Sequence, residues 1–382
     1  MQNRRPSRLT RRHVHLAAAI ATASLVAGSM SAAVADTPVG WVSADNYGAY
    51  TLGTLDFELH LGGIAMNDGL DFSNSRDDIL SNASLLEGED RDIAGSVIDF
   101  QLGLTSFLTV FYRHQATDLG IEFAYTPSVG LVSMDDELQT DTDAYGLRWN
   151  IYESGRNRGN AWTATSLEVS FSESSSDDFS GTYNGVTIQD QFTPFGTDGS
   201  FTLQDLEDEA WKVRLIHTAP ISRSVAGTVW AGYSETEATA STSVSAVNLL
   251  PPTIVQGFET ETSQYTLGGS LNWQITARMP LQLSYEFIKV QDRDDSMLLN
   301  PVLDPYLPDF LQAANLGDPE DENHVISANL SYWLTRNITV SLTGKVFSNH
   351  FLGVTPHYHN PLTAAFAQES YSYAGLHLGI KL

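Results

Sequence analysis

The chain ends Tyr373-Ala374-Gly375-Leu376-His377-Leu378-Gly379-Ile380-Lys381-Leu382, alternating apolar with polar residues up to the last carboxylate. Successive side chains of an extended strand point to opposite faces. Leu376, Leu378, Ile380 and Leu382 therefore share one face, and Tyr373, Gly375, His377, Gly379 and Lys381 share the other. The same two-residue period runs through 325–334, where Ile326, Ala328, Leu330 and Tyr332 alternate with Ser327, Asn329 and Ser331. Thr335-Arg336-Asn337 supplies a tight turn, after which Ile338, Val340 and Leu342 alternate with Thr339, Ser341 and Thr343. Each such pair is a hairpin with one greasy and one wet face.

The hairpin repeats along the chain. It recurs at 265–275 with 281–290, where Tyr265, Leu267, Leu271, Trp273 and Ile275 take the apolar face. Further pairs read as 208–218 with 224–236, 143–153 with 161–173, and 96–115 with 119–127, and Leu55, Phe57, Leu59 and Leu61 mark an opening strand. The count is about 12, even as in bacterial single-chain barrels, and about 10 residues carry a tilted strand across a bilayer. The stretch 97–115 is long for one crossing. Parity favours one extended strand, with a β-bulge near Phe107 and Phe111, which fall on its nominally polar face. Short connections near 116–118, 154–160, 219–223, 276–279 and 335–337 alternate with long ones, which puts the short turns and both termini at one end. The fold class expected is all-β: a transmembrane antiparallel up-and-down β-barrel with long extracellular loops and short periplasmic turns. A secreted β-sandwich would not require that strict alternation of connection lengths.

The final strand resembles the C-terminal strand of bacterial outer-membrane β-barrels, which closes the barrel against the first strand and serves as the assembly signal. That class commonly ends on an aromatic residue, where this chain has Leu382. The resemblance implies a place in the cell outer membrane, with outer-membrane lipids, lipopolysaccharide and the barrel assembly machinery as partners. The segment Ala116-Thr117-Asp118-Leu119-Gly120-Ile121-Glu122-Phe123-Ala124-Tyr125-Thr126-Pro127 resembles the second hairpin of OmpW-type barrels, small channels associated with hydrophobic solutes. That likeness covers this segment alone, and no binding residue carries over from it.

Arg4, Arg5, Arg8, Arg11 and Arg12 precede an apolar run over 16–26 and the small residues Ala33-Val34-Ala35, the pattern of a cleaved secretory signal peptide spanning 1–35. The run falls short of the ~20 residues of a membrane-spanning helix. Residues 36–51 then read as a short periplasmic tail and 52–382 as the barrel. Losing 1–35 removes five arginines and no acid, which leaves 15 basic residues against 46 acidic ones. Such a surface repels nucleic acid. Cysteine is absent, so disulfides and thiolate metal sites are excluded.

The polar register carries Asp56, Glu58, Asp99, Glu122, Glu168 and Glu286 as acids and Arg113, Arg148, Lys212, Arg214, Lys345 and Lys381 as bases. The lumen thus reads as charged and nearly balanced. Acids and bases on opposite walls would set a field across an open pore; interleaved, they would pair and block it. Where the first and last strands meet, Asp56, Glu58 and His60 face His377 and Lys381. The apolar register also holds Tyr112, Tyr125, Tyr145, Trp211, Tyr233, Trp273, Tyr285 and Tyr332, many near strand ends, as interfacial girdles require.

The long connections hold two chemistries. Asp68, Asp71, Asp77, Asp78, Glu87, Glu89, Asp90 and Asp92 crowd the first, and Asp292, Asp294, Asp295, Asp318, Glu320 and Asp321 flank the fifth. Oxygen-rich clusters suit Ca²⁺ or Mg²⁺, but none has EF-hand spacing and a solvated charge run is the simpler account, so the metal assignment stays open. Leu249-Leu250-Pro251-Pro252-Thr253-Ile254-Val255, Met297-Leu298-Leu299, Pro301-Val302-Leu303 and Tyr306-Leu307-Pro308-Asp309-Phe310-Leu311 are too apolar for loops in water. Folded inward, Leu298, Leu299, Tyr306, Leu307 and Phe310 would gate the pore; packed on one another, they would only cap it. His350, His357 and His359, and the strand histidines His60, His114, His217, His324 and His377, lack a serine or third ligand at a recognisable spacing. The expectation is no enzyme and no cofactor, but a porin-like channel for passive diffusion of small solutes through a narrow mixed-charge lumen. The alternatives are a closed structural or surface-interaction barrel and, less favoured, an outer-membrane lipid hydrolase.

Overall fold

A computed structural model describes residues 48–66, 86–87, 93–125, 131–154, 163–189, 194–246, 253–298, 322–347 and 371–382. They form fourteen strands: β1 (Phe57–Met66), β2 (Leu86–Glu87), β3 (Ile93–Thr105), β4 (Leu108–Tyr125), β5 (Leu131–Ser154), β6 (Thr163–Ser176), β7 (Phe179–Gln189), β8 (Pro194–Pro220), β9 (Val225–Ala246), β10 (Thr253–Thr276), β11 (Met279–Leu298), β12 (Glu322–Trp333), β13 (Ile338–Phe347) and β14 (Tyr371–Lys381). Twelve of them make one ring in the order β4-β3-β1-β14-β13-β12-β11-β10-β9-β8-β6-β5, and β5 pairs with β4 to close it. Closure leaves the twelve-strand ring without an open edge, which hydrocarbon could not satisfy. The ends meet as the sequence indicated, with Glu58 opposite Lys381 and Gly62 opposite His377 in the β1–β14 seam.

The barrel is inside out. Leu61, Ile98, Leu147, Leu215, Val229, Leu271, Leu283, Ile326, Leu342 and Leu376 are exposed on its outer surface, Leu267 to 62%. Thr109, Thr140, Ser166, Thr228, Thr266, Asn272, Gln282 and Ser341 are buried within. Each large aliphatic side chain taken from water into hydrocarbon gains roughly 1.5–3 kcal/mol, so the outer belt calls for lipid. Inside, hydroxyls and amides satisfy one another across strands: Thr142 donates to Ser174 at 3.0 Å, Asn329 to Thr343 at 2.7 Å, and Ser331 and Ser341 pair at 2.8 Å. The girdle at the end away from the short turns has apolar rings with polar tips. Tyr112 donates to Asp143 at 2.5 Å, and Trp211 and Tyr233 donate to Glu235 at 2.9 and 2.6 Å. That geometry suits the headgroup level.

The β3–β4 region differs from the sequence expectation. The proposed hairpin of 96–115 with 119–127 does not form. β3 ends at Thr105, Ser106 and Phe107 make the turn, and β4 runs unbroken through 116–118. The even count survives because two strands form where two were expected, with the turn between them at Ser106-Phe107 instead of 116–118. Ser106-Phe107 lacks the glycine or asparagine of a strong turn signal, whereas Asp118-Leu119-Gly120 imitates one. Phe107 lies exposed in the turn, while Phe111 faces inward over Gly146, its direct cross-strand neighbour. Leu55 also leaves the first strand: it sits in a turn closed by Asp56 N–H donating to the Gly53 carbonyl at 3.1 Å, with a left-handed φ of 66°.

Strands also replace much of the expected long connections. Only 126–130 separate β4 from β5, and only 247–252 separate β9 from β10 among residues outside strands. Thr253, Ile254 and Val255 belong to β10, and Asp292, Asp294, Asp295 and the gate candidate Leu298 belong to β11, Leu298 opposite Gly257. β6 breaks at Asp177-Asp178 and resumes as β7, which fits between β5 and β8. Above the girdle the outer face no longer meets lipid, so the apolar half of the alternation disappears while Thr and Val still favour extended backbone. Residues 1–47, the gate candidates Leu299, Tyr306, Leu307 and Phe310, and His350, His357 and His359 lie outside the described residues.

Candidate functional site in the barrel interior

Residues 48–55 cross the barrel at the end of the short turns. The Ala49 N–H donates to Thr218 at 2.9 Å, and Ser166 donates to the Ala49 carbonyl. Arg148 reaches the Tyr50 carbonyl at 3.3 Å, Thr51 donates to the Ser106 carbonyl at 2.8 Å, and the Leu52 N–H donates to Thr109 at 2.8 Å. The segment therefore spans from β6 and β8 to β4 before it turns into β1. Ala49 is 0% exposed and packs with Ala164, Ile216 and Trp230. The wall makes room with glycine: at Gly103, which faces inward, a Cβ would collide with the Gly53 carbonyl and touch Leu52. The sequence reading placed 36–51 in a tail and did not find this crossing, whose residues have no period.

Most of the charged residues read from the sequence form ion pairs. Glu58 is 1% exposed and lies 2.9 Å from Lys381. Asp99 is buried 3.3 Å from Arg113. Glu168 takes Arg148 on one oxygen at 2.6 Å and Arg214 on the other, the three lying in one row across β5, β6 and β8. Glu286 lies 4.0 Å from Lys212 and accepts a 2.7 Å hydrogen bond from Trp230. Lys345 is buried at 3% exposure. Asp56 stands apart in the turn before β1, its carbonyl accepting from the Gly103 N–H at 2.9 Å. Glu122 lies in β4 opposite Asp135, and its side chain is outside the description. Of the two arrangements open to the sequence, acids and bases here interleave.

Sequence reading missed Trp230, an aromatic on the polar face. Its indole lies over Gly268, directly opposite in register, as Phe111 lies over Gly146. A glycine facing an aromatic that breaks the alternation is the signal that would have found Trp230. Trp230→Phe keeps the ring over Gly268 but removes the donor to a buried carboxylate. The expected loss is about 1–3 kcal/mol, read from the urea midpoint of the folded barrel in detergent.

A closed, inside-out ring of twelve strands is the outer-membrane β-barrel fold. No protein-family model and no curated protein sequence matches the chain. Among solved structures it is similar to the translocator domain of autotransporter NalP from Neisseria meningitidis, at 7% identity and TM-score 0.49, over 86% of this chain and 89% of that one. It is similar to the P. putida toluene transporter TodX at 9% identity and TM-score 0.40, over 87% and 91%. The NanC porin gives 9% identity and TM-score 0.38, over 86% and 100%. Identities and scores this low carry nothing about cargo.

Proposed function

We propose that the protein is a porin-like channel of the cell outer membrane, for passive diffusion of small solutes, held shut at its periplasmic end by residues 48–55. The observation that carries this is what occupies that mouth. A barrel of eight strands is filled by its own side chains, and twelve enclose more. Here the added filling is a stretch of chain bound to the wall chiefly by hydrogen bonds, each worth about 0.5–1.5 kcal/mol. It can leave without breaking a single strand pairing. The interleaved charges above it narrow the lumen without sealing it, because Glu58 with Lys381, Asp99 with Arg113, and Glu168 with its two arginines each pair along the wall between neighbouring strands. They form a nearly neutral filter, and lipid covers the outer belt. No catalysis and no cofactor enter.

The test is planar-bilayer recording and liposome flux with purified, folded chain. Brief, small openings and slow flux of small polar solutes are expected. Absence of both, in the parent and in a variant whose segment has been displaced, defeats the channel. That outcome would favour the second reading, a closed barrel whose raised wall serves surface interaction. It draws support from the near-complete burial of Glu58 and Lys345.

A further inference from the structure

Among the described residues, four inward acids have basic partners: Glu58 with Lys381, Asp99 with Arg113, Glu168 with Arg148 and Arg214, and Glu286 with Lys212. Asp208 has no ion pair among them. It lies on β8 three residues beyond Trp211, above the girdle, opposite Ser174 of β6 and Ala238 of β9. It is 4% exposed, takes a hydrogen bond from Ser174, and its Oδ1 is buried with no hydrogen-bond partner. Burial pushes its carboxyl up to about 7 against the Ser174 bond, because an ionised carboxylate there lacks both water and a counter-charge.

The surroundings are oxygen-rich. From β5, Thr142 donates to Ser174 at 3.0 Å; from β6, β9 and β10, Ser172, Thr236 and Thr262 are buried on the same inner wall. The charges nearest along the wall are already engaged: Lys212 with Glu286, and Glu168 with its two arginines. The wall is irregular at this height. β8 slips register between Gln204 and Glu207, Asp205 takes a left-handed φ of 53°, and β6 breaks at Asp177-Asp178. Ser241 fixes the slip by donating to the Gln204 carbonyl at 3.3 Å and to Asp205 at 3.1 Å. Bulges of this kind re-aim a side chain. On the outer face at the same level, Glu173, Glu209, Glu237 and Glu261 stand side by side across four strands. Burial, then Glu259 and Glu261, push the Glu237 carboxyl up. That row adds a negative potential that draws cations to this mouth.

We propose that Asp208 and the hydroxyls around it bind a small monovalent cation, an alkali-metal ion or a primary ammonium, and that, resting on the channel reading above, this site sets a preference for cations. One carboxylate among neutral oxygens suits a single charge, whereas a divalent ion takes a larger set of oxygen ligands, often several carboxylates.

Binding is tested on the folded full chain by ¹³C NMR titration of the Asp208 carboxyl, assigned by Asp208→Asn. At constant ionic strength, replacing bulky tetrabutylammonium chloride with potassium chloride or methylammonium chloride lowers the midpoint, and the ion giving the larger shift identifies the ligand. An unchanged midpoint in both salts overturns the site. Selectivity is tested by the reversal potential across a potassium chloride gradient. Asp208→Asn lowers the cation-to-anion permeability ratio severalfold, Asp208→Glu retains it, and the parent's preference weakens as pH falls below about 7. A ratio unmoved by Asp208→Asn overturns the selectivity role. Absence of conductance in every variant defeats the channel reading instead, and the titration alone then decides the site.

Discussion

Purified barrels carrying Gly103→Val will hold long-lived open states where the parent chain opens only briefly. Gly103 faces inward two residues before the end of β3, and its missing side chain is the space through which the crossing segment passes. A Cβ there meets the Gly53 carbonyl and Leu52 Cβ. Backbone cannot rotate away as a long side chain can, so the segment must move. It is tethered at this point by Leu55 N–H donating to the Gly103 carbonyl at 2.7 Å and by Gly103 N–H donating to Asp56 at 2.9 Å. Overpacking of this sort costs about 1–3 kcal/mol, comparable to what those tethers supply. The ring keeps its strand-to-strand bonds, so the loss falls on closure and not on the fold. Gly344→Val is the control: that glycine lies between the inward Thr343 and Lys345 and has open space where its Cβ would stand. Identical single-channel records from the two variants would sink the plug.

What the sequence disclosed follows from where lipid is. Between the girdles one face must be apolar and the other polar, so Ile326, Leu330 and Leu342 outside and Ser327, Asn329 and Thr343 inside announce both strand and register. The seam pairing of Glu58 with Lys381 came from the same alternation. Above the outer girdle the outer face leaves the hydrocarbon, and stretches such as 236–245 and 253–263 lose the pattern although they remain paired strands. They read as loops for that reason. Whether lumen charges pair depends on which strands are neighbours: Arg148, Glu168 and Arg214 are distant in sequence, and only the β5–β6–β8 order sets them in one row. Asp208 was hidden similarly. Its distinguishing property is a partner that is missing, and that is visible only once every facing residue is known.

The same row yields the largest expected loss of stability. Glu168 is one buried carboxylate between two guanidiniums, each oxygen committed to one of them. Glu168→Gln leaves two cations on the strands either side of β6 with no anion between them. Removing one partner of a buried charge set costs about 3–5 kcal/mol, far more than the set is worth as a whole, because the surviving charges keep their desolvation penalty. The urea midpoint of the folded barrel in detergent should fall accordingly. Replacing all three, as Arg148→Met, Glu168→Leu and Arg214→Met, should restore most of it, since no charge is then left stranded. A Glu168→Gln loss near that of an exposed pair, below about 1 kcal/mol, would mean that water reaches the row and screens it. Arg148 adds a second readout. It also holds the Tyr50 carbonyl at 3.3 Å, so its loss in the triple variant should lengthen open times even as stability returns. Separation of the two effects would show that the ion pairs hold the wall together while the crossing segment closes the mouth.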